Sequence, residues 1–271
     1  MIFFQTILGS ISRTRNYVQT LVPINVDKVF VMEMGQSNME GRDGDINHPD
    51  YPFTSSHSIY THQTTTYVLN TTREGAQIGS HANYFAEKFY ELTGVGVMMN
   101  ESAMGGTAMT NIRLDRDDWS ATGERRGDTE IRVNAALSLH NISEPTIGLW
   151  CQGETDAGSH YNDPTGYTLA DIKVGMQDII DWWVGLYPNT PFLISLLGNH
   201  STPEVDVIYQ AVREIQQEIA NENNNVYVAF EGANKFKEEG KLIDEVHYSY
   251  GGLKEMGESF AIKAVELLRV N

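Results

Sequence analysis

The sequence predicts an α/β fold: a mainly parallel five-stranded sheet with helices on both faces. Three observations carry this. Five short apolar runs alternate with five longer segments at helical spacing, the order that right-handed βαβ crossovers produce. Most of the runs are rich in Val, Ile, Leu or Phe, as strands covered on both faces are. Finally, three of the four unusual connections start directly at a strand's C-terminal end, the edge where open α/β sheets bind ligands.

The elements follow in order. Residues 28–34 (KVFVMEM) form the first expected strand, and residues 81–92 the first helix, with Gly94 where a left-handed residue would end it. A strand over 95–99 (VGVMM) leads to a helix over 129–139, and a strand over 146–151 (TIGLWC) to a helix over 169–186. Thr168 and Asp171 have capping-box spacing, with Asp in place of the usual Glu. After a strand over 191–197 (PFLISLL), the helix over 203–221 is the clearest of all. Val205, Ile208, Val212, Ile215 and Ile219 share one stripe, while Thr202 and Pro203 supply an N-cap and a first-turn proline. A strand over 226–230 (VYVAF) and a helix over about 253–268 complete the pattern. The connections that stand out are 40–80, 103–128, 155–167 and 198–202, and the first is far too long for an idle loop.

Composition sets the outer limits. At about 150 residues per domain, 271 residues allow one large domain or two small ones; the single alternating pattern favours one, over residues 26–271, with residues 1–25 as an N-terminal extension. With 41% apolar and 10% aromatic residues the chain can bury a core, which excludes general disorder. Nineteen basic against 36 acidic side chains give a net charge of −17, which argues against a nucleic-acid partner. The one cysteine, Cys151, excludes an internal disulfide framework and a multi-cysteine metal site. No apolar run approaches the roughly 20 residues that span a bilayer, so no membrane role is expected. The opening MIFFQTILGS has no preceding basic residue and makes a poor signal peptide. It reads as part of the fold or as an attachment to a larger assembly.

Four clusters could carry chemistry, and all lie just after expected strands. Gly35-Gln36-Ser37-Asn38-Met39 places a serine at a strand-to-helix turn, where its Oγ can project beyond the sheet. The pentapeptide alone is equally a glycine-containing turn with Ser37 as a helix N-cap, and Met39 excludes the G-x-S-x-G elbow. Asn100 to Thr107 contains Gly105-Gly106, which can turn backbone N–H groups toward a ligand or simply make a turn. Trp150-Cys151-Gln152-Gly153-Glu154-Thr155-Asp156 offers a strand-end amide that could face an oxyanion. Glu154 and Asp156 could instead be a metal pair or an acid/base pair, although no matching ligand set accompanies them. In Asp244-Glu245-Val246-His247, an Asp three residues before a His can hold Nδ1–H while Nε2 takes a proton, the orienter-and-base half of a Ser-His-Asp triad. The other seven histidines, His200 and His81 among them, fall in loops or on helices where surface or structural roles are expected.

In chain order these blocks resemble the SGNH (GDSL-type) hydrolases, within them the branch of sialate O-acetylesterase and family-six carbohydrate esterase domains. GQSN, the small-residue GG block, W-x-QGE-x-D and D-x-x-H are matched by GQSNME, Ala103 to Thr107, Trp150 to Asp156 and Asp244 to His247. The wider superfamily has Asn in its third block where this chain has Gln152. The resemblance runs from about Lys28 to the C-terminus. It implies a three-layer α/β/α, flavodoxin-like SGNH fold and a catalytic triad of Ser37, His247 and Asp244. It also implies an oxyanion hole from the Ser37 and Gly106 N–H groups and the Gln152 side chain. Glu154 and Asp156 are implied as supports for the Gln152 loop.

No metal or organic cofactor is implied. The implied substrate is an acetyl ester of a sugar hydroxyl, on an acetylated xylan-like polysaccharide or an O-acetylated sialic acid. Tyr51, Phe53, Tyr60, Tyr67, Trp119 and Tyr161 could stack on sugar faces or pack their loops. Arg113, Arg116, Arg125 and Arg126 could attract a carboxylated sugar, or be balanced by Asp115, Asp117, Asp118 and Asp128. The rivals are a catalytically silent carbohydrate-binding or structural module and a lipid or thioester hydrolase. The first would be expected to have lost one of Ser37, Asp244, His247 or Gln152, and the second to have a more apolar cleft.

Overall fold

The computed structural model describes residues 29–41, 54–62, 65–70, 80–112 and 117–268. The strands are β1 (Val29–Gly35), β2 (Thr54–His62), β3 (Thr65–Asn70), β4 (Val97–Glu101), β5 (Ile147–Cys151), β6 (Phe192–Ser195) and β7 (Val226–Phe230). The helices are α1 (Ser37–Glu40), α2 (His81–Thr93), α3 (Glu124–His140), α4 (Glu154–Asn162), α5 (Leu169–Leu186), α6 (Pro203–Glu222) and α7 (Tyr250–Leu268). All five expected strands and all five expected helices are present, some with shifted ends.

The strands form one sheet in the order β3-β2-β4-β1-β5-β6-β7. The five expected strands are its core, in the 2-1-3-4-5 order of doubly wound flavodoxin-like sheets. The strand count needs correction, because among the described residues the sheet has seven strands and not five. The added pair lies inside the connection over 40–80: β2 runs parallel to β4, and β3 turns back antiparallel along β2.

Side chains of β1 alternate between two cores. Phe30, Met32 and Met34 pack with Val133 of α3, Ile172 to Trp183 of α5 and Val205 to Ala220 of α6. Val29 and Val31 pack on the other face with Phe85 and Phe89 of α2 and Met256, Phe260 and Val265 of α7. That alternation, fixed by the two-residue period of a strand, makes the three-layer α/β/α sandwich.

The local signals resolve as follows. Gly94 ends α2 in the left-handed region at φ 72°, and Thr168 with Asp171 forms the full capping box of α5. Thr202 stands at the N-cap of α6, but its side chain makes no capping bond. Instead, Asp206 in the first turn reaches back to accept from the His200 N–H at 2.8 Å. Tyr209 and Gln216 join the buried stripe of α6, whereas Ile208 and Ile215 are only partly covered.

No described helix is long and apolar enough to cross a membrane. The N-terminal extension, residues 1–25, lies outside the described residues, as do Tyr51, Phe53, Arg113, Asp115, Arg116 and the side chains of Tyr60 and Tyr67.

Candidate active site

The strand order reverses at β1, whose neighbours are β4 and β5, and the nucleophile turn sits at the C-terminal end of the β1–β5 pair. β1 ends at Gly35 with φ 131°, where a Cβ would lie 2.1 Å from the Cys151 carbonyl oxygen of β5. Only glycine permits that approach. The Gln36 N–H then donates to the same Cys151 oxygen at 3.0 Å, and the chain enters α1 at Ser37. First-turn N–H groups have no intrahelical acceptor, so this turn offers donors as well as a hydroxyl.

Across 210 residues of sequence, Ser37 Oγ meets His247 Nε2 at 3.0 Å. His247 Nδ1 lies 2.6 Å from Asp244 Oδ2, and Asp244 Oδ1 accepts from the N–H groups of Val246 and His247, each at 2.8 Å. Partial burial alone would raise the Asp244 carboxyl. The two backbone donors and the His247 ring outweigh it and hold the carboxyl below its ordinary value. Ser37 and His247 open onto a cleft of about 340 Å³, walled also by Gly106, Thr155, Gly158, His200, Val205 and Tyr209.

The glycine pair is divided in use. The Gly105 N–H donates to Glu40 Oε2 at 2.9 Å. Gly106, at φ 78°, is left with an N–H that has no acceptor among the described residues and lies on the cleft wall.

Gln152 requires a correction. It is fully buried and does not line the cleft. Its Nε2 donates to the Thr107 carbonyl at 2.6 Å. An amide committed to that acceptor braces the glycine loop rather than facing an oxyanion. Gln152→Ala is therefore expected to cost about 1–3 kcal/mol of stability by leaving the buried Thr107 carbonyl unpaired, read from urea unfolding. A lower kcat with unchanged stability would return Gln152 to the oxyanion hole.

Glu154 and Asp156 begin α4 and are both buried. Glu154 Oε1 accepts from Asn38 Nδ2 at 2.6 Å, so it braces the nucleophile turn rather than the Gln152 loop. Burial raises its carboxyl, partly offset by the Asn38 donor and the nearby His247. Asn38 was not singled out by sequence reasoning, yet it is the hub of the site. Its Nδ2 also donates to the Val246 carbonyl at 3.1 Å, and its Oδ1 accepts from the Tyr248 N–H at 3.0 Å. One side chain thus holds the serine turn, α4 and the histidine loop together. The only prior signal was the joint presence of Asn38 and Glu154 in two separate blocks.

Asp156 accepts from the Met109 N–H at 3.0 Å and the Tyr167 hydroxyl at 2.7 Å. Burial pushes its carboxyl up to about 6, against the pull of Tyr167, Met109 and Gln152. A native value above the ordinary 3.8 means that ionisation opposes folding. That penalty is absent below about pH 4 and complete above about pH 6. Asp156→Asn should therefore flatten the fall in stability between pH 4 and 7, measured by urea unfolding at each pH. An unchanged slope would assign it to Glu154, whose carboxyl is shifted in the same direction.

Two alternatives left open by the sequence are resolved in favour of packing and ion pairing. Arg125 is buried and paired with Asp117 and Asp128, and Arg126 is buried against the Trp119 carbonyl and Asp178. Neither is available to a carboxylated sugar. Trp119 is fully buried, edge-on to Trp150 at 5.2 Å, and is a core residue rather than a sugar platform. Tyr161 stands 46% exposed on α4, one turn beyond Gly158 of the cleft. Among the described residues no group of three His, Cys, Asp or Glu side chains is placed to hold a metal ion.

A 2-1-3-4-5 core sheet with a Ser–His–Asp contact at its switch point has the architecture of an SGNH-type hydrolase. The family model "SASA: Carbohydrate esterase, sialic acid-specific acetylesterase" matches residues 26–266, and the chain belongs to that family. It is a carboxylic ester hydrolase, an O-acetylesterase acting on carbohydrate. Solved structures share the fold at low identity. A protein from Arabidopsis thaliana is 17% identical with a TM-score of 0.64, over 89% of this chain and 99% of that one. XAC1771, a carbohydrate acetylesterase from Xanthomonas citri, is 15% identical with a TM-score of 0.59, over 90% of this chain and 57% of that one. Axe2, an acetylxylan esterase from Geobacillus stearothermophilus, was solved as a catalytic mutant; it is 13% identical with a TM-score of 0.53, over 89% and 95%. A search of curated proteins found no match.

Proposed function

We propose that this protein removes acetyl groups from sugar hydroxyls through an acyl-enzyme on Ser37, with His247 as base and Asp244 as its orienting partner. The observation that carries this reading is the unbroken contact Ser37 Oγ, His247 Nε2, His247 Nδ1, Asp244 Oδ2, at 3.0 and 2.6 Å, opening onto a cleft.

Ser37 Oγ attacks the acetyl carbon while its proton passes to His247 Nε2. The carbonyl oxygen becomes an oxyanion facing the Ser37 and Gly106 N–H groups, each such donor being worth roughly 3–4 kcal/mol of barrier. His247 then returns the proton to the sugar oxygen as its bond to the acetyl carbon breaks. Water adds to the acyl carbon, giving its proton to His247. Acetate departs as Ser37 Oγ takes that proton back.

For substrate, a neutral acetylated glycan of the xylan type fits better than O-acetylated sialic acid. Among the described residues the cleft is lined by no Lys or Arg, with Glu245 nearby, in a chain of net charge −17. A sialate carboxylate would enter against that field. Acetate release from acetylated xylan beside O-acetylated sialic acid tests this, and a higher kcat/KM on the xylan is expected. Preference for the sialate ester would reverse the substrate assignment. Glycan binding with no turnover of any acetyl ester would mark a silent binding module.

A further inference from the structure

His200 lies in the short connection between β6 and α6 and lines the same cleft as Ser37 and His247. The mechanism above gives it no task, yet its ring is held on several sides. Its backbone N–H is tied to Asp206 Oδ1 at 2.8 Å, and its ring packs edge-on against Tyr209 at a centroid distance of 5.4 Å. The Thr202 N–H donates to His200 Nδ1 at 3.0 Å. An Nδ1 that accepts a backbone N–H carries no proton, so that bond assigns the ring to the Nε2–H tautomer. The nearest carboxylate oxygen to Nε2 among the described residues is Glu245 Oε2 at 3.9 Å, beyond hydrogen-bond range. A donor has been oriented, and among the described residues no side chain accepts from it within hydrogen-bond range.

Its position says which part of a substrate it would meet. The Ser201 N–H donates to the Glu245 carbonyl at 3.0 Å, so the His200 connection is bonded to the loop that carries His247. His247 must protonate the departing alcohol, which places the sugar on this side of the cleft and the acetyl oxygen toward Gly106. We infer that His200 is a specificity-determining residue whose Nε2–H donates to an oxygen of the sugar being deacetylated. This rests on the acyl-enzyme reading above and adds to it the group that recognises the alcohol.

The test uses the full chain with two probes: per-O-acetylated xylobiose, and 4-nitrophenyl acetate, whose leaving group carries no sugar. His200→Asn is the informative variant. Its Oδ1 can still accept the Thr202 N–H two residues on, as asparagine does in Asx turns, but the distal donor is gone. His200→Gln places an amide N–H close to where Nε2–H stood. The expected result is an approximately tenfold fall in the ratio of kcat/KM for the sugar ester over the aryl ester in H200N, as for loss of one substrate hydrogen bond. Most of the fall should appear in KM, and H200Q should recover most of the ratio. An unchanged ratio in H200N, whether both activities persist or both decline together, would overturn the assignment. A wild-type protein inert toward both esters would overturn the acyl-enzyme reading, and this inference with it.

Discussion

Replacing Ser37 by alanine is expected to lower kcat/KM for 4-nitrophenyl acetate by at least about 10⁴-fold while the protein remains folded. Ser37 is the first residue of α1, and alanine is a good helix former, so the turn itself should survive. Its Oγ contact with His247 lies at the mouth of the cleft, and the turn is held instead by Asn38, Gly35 and the Gln36–Cys151 bond. What remains after the substitution should be the activity that oriented N–H groups and binding alone provide. Because nucleophile and base act as one unit, the Ser37→Ala/His247→Ala double variant should be scarcely worse than either single one. Pre-steady-state measurement adds an independent check. Wild type should show a burst of 4-nitrophenol if deacetylation is the slower step, and the alanine variant none. Hydrolysis by Ser37→Ala at near wild-type rate would remove the serine from the mechanism.

The five core strands were legible because each is a short apolar run, four of them buried throughout, and their order is that of the flavodoxin-like fold which the family resemblance implied. The β2–β3 pair was not. Its segments, TSSHSIYTH and TTYVLN, are largely Thr, Ser and His with only short apolar interruptions. They belong to the sheet by backbone pairing to β4 and to each other, which leaves little periodic signature. Helix α3 begins five residues before its expected start, in a Gly- and charge-rich stretch held by the Arg125 and Arg126 ion pairs. Tertiary contact overrides weak local propensity there. Helix α4 was read as a connection because ETDAGSHYN has no apolar stripe; buried Glu154 and Asp156 anchor it instead. At the site, the pairing of Asp244 with His247 was readable from their spacing, and their meeting with Ser37 from the family resemblance. The contacts of Asn38 and Glu40 were not, since each is defined by a partner in another segment. Asn38 and Glu154, for example, stand 116 residues apart. The misplacement of Gln152 has the same origin: a strand-end amide can face the cleft or the neighbouring loop, and its contact with the Thr107 carbonyl decides which.

Asp244→Asn should leave the fold and the cleft in place and still lower kcat by about 10⁴-fold. The asparagine carbonyl can go on accepting the Val246 and His247 N–H groups that Asp244 Oδ1 now holds, so the histidine loop keeps its turn. The other oxygen, Oδ2, becomes an N–H donor 2.6 Å from His247 Nδ1. A donor there pushes the ring proton to Nε2, the atom that must receive the Ser37 proton, and the base is lost through its tautomer without being moved. Asp244→Ala separates this effect from loop stability, because it also abandons both backbone donors and should lower the melting temperature more than Asp244→Asn does. The carboxyl is held below its ordinary value in the folded protein. Its contribution to stability is therefore present above the ordinary carboxylate range and lost as pH falls through the lower native value. Wild type should lose that increment on acidification, whereas Asp244→Asn should have none to lose. Half of the side chain is open to solvent, so the increment is small beside the catalytic effect. An Asp244→Asn variant retaining more than about a tenth of wild-type kcat, against the 10⁴-fold loss expected of a wrong tautomer, would show that His247 does not depend on Asp244 for its proton.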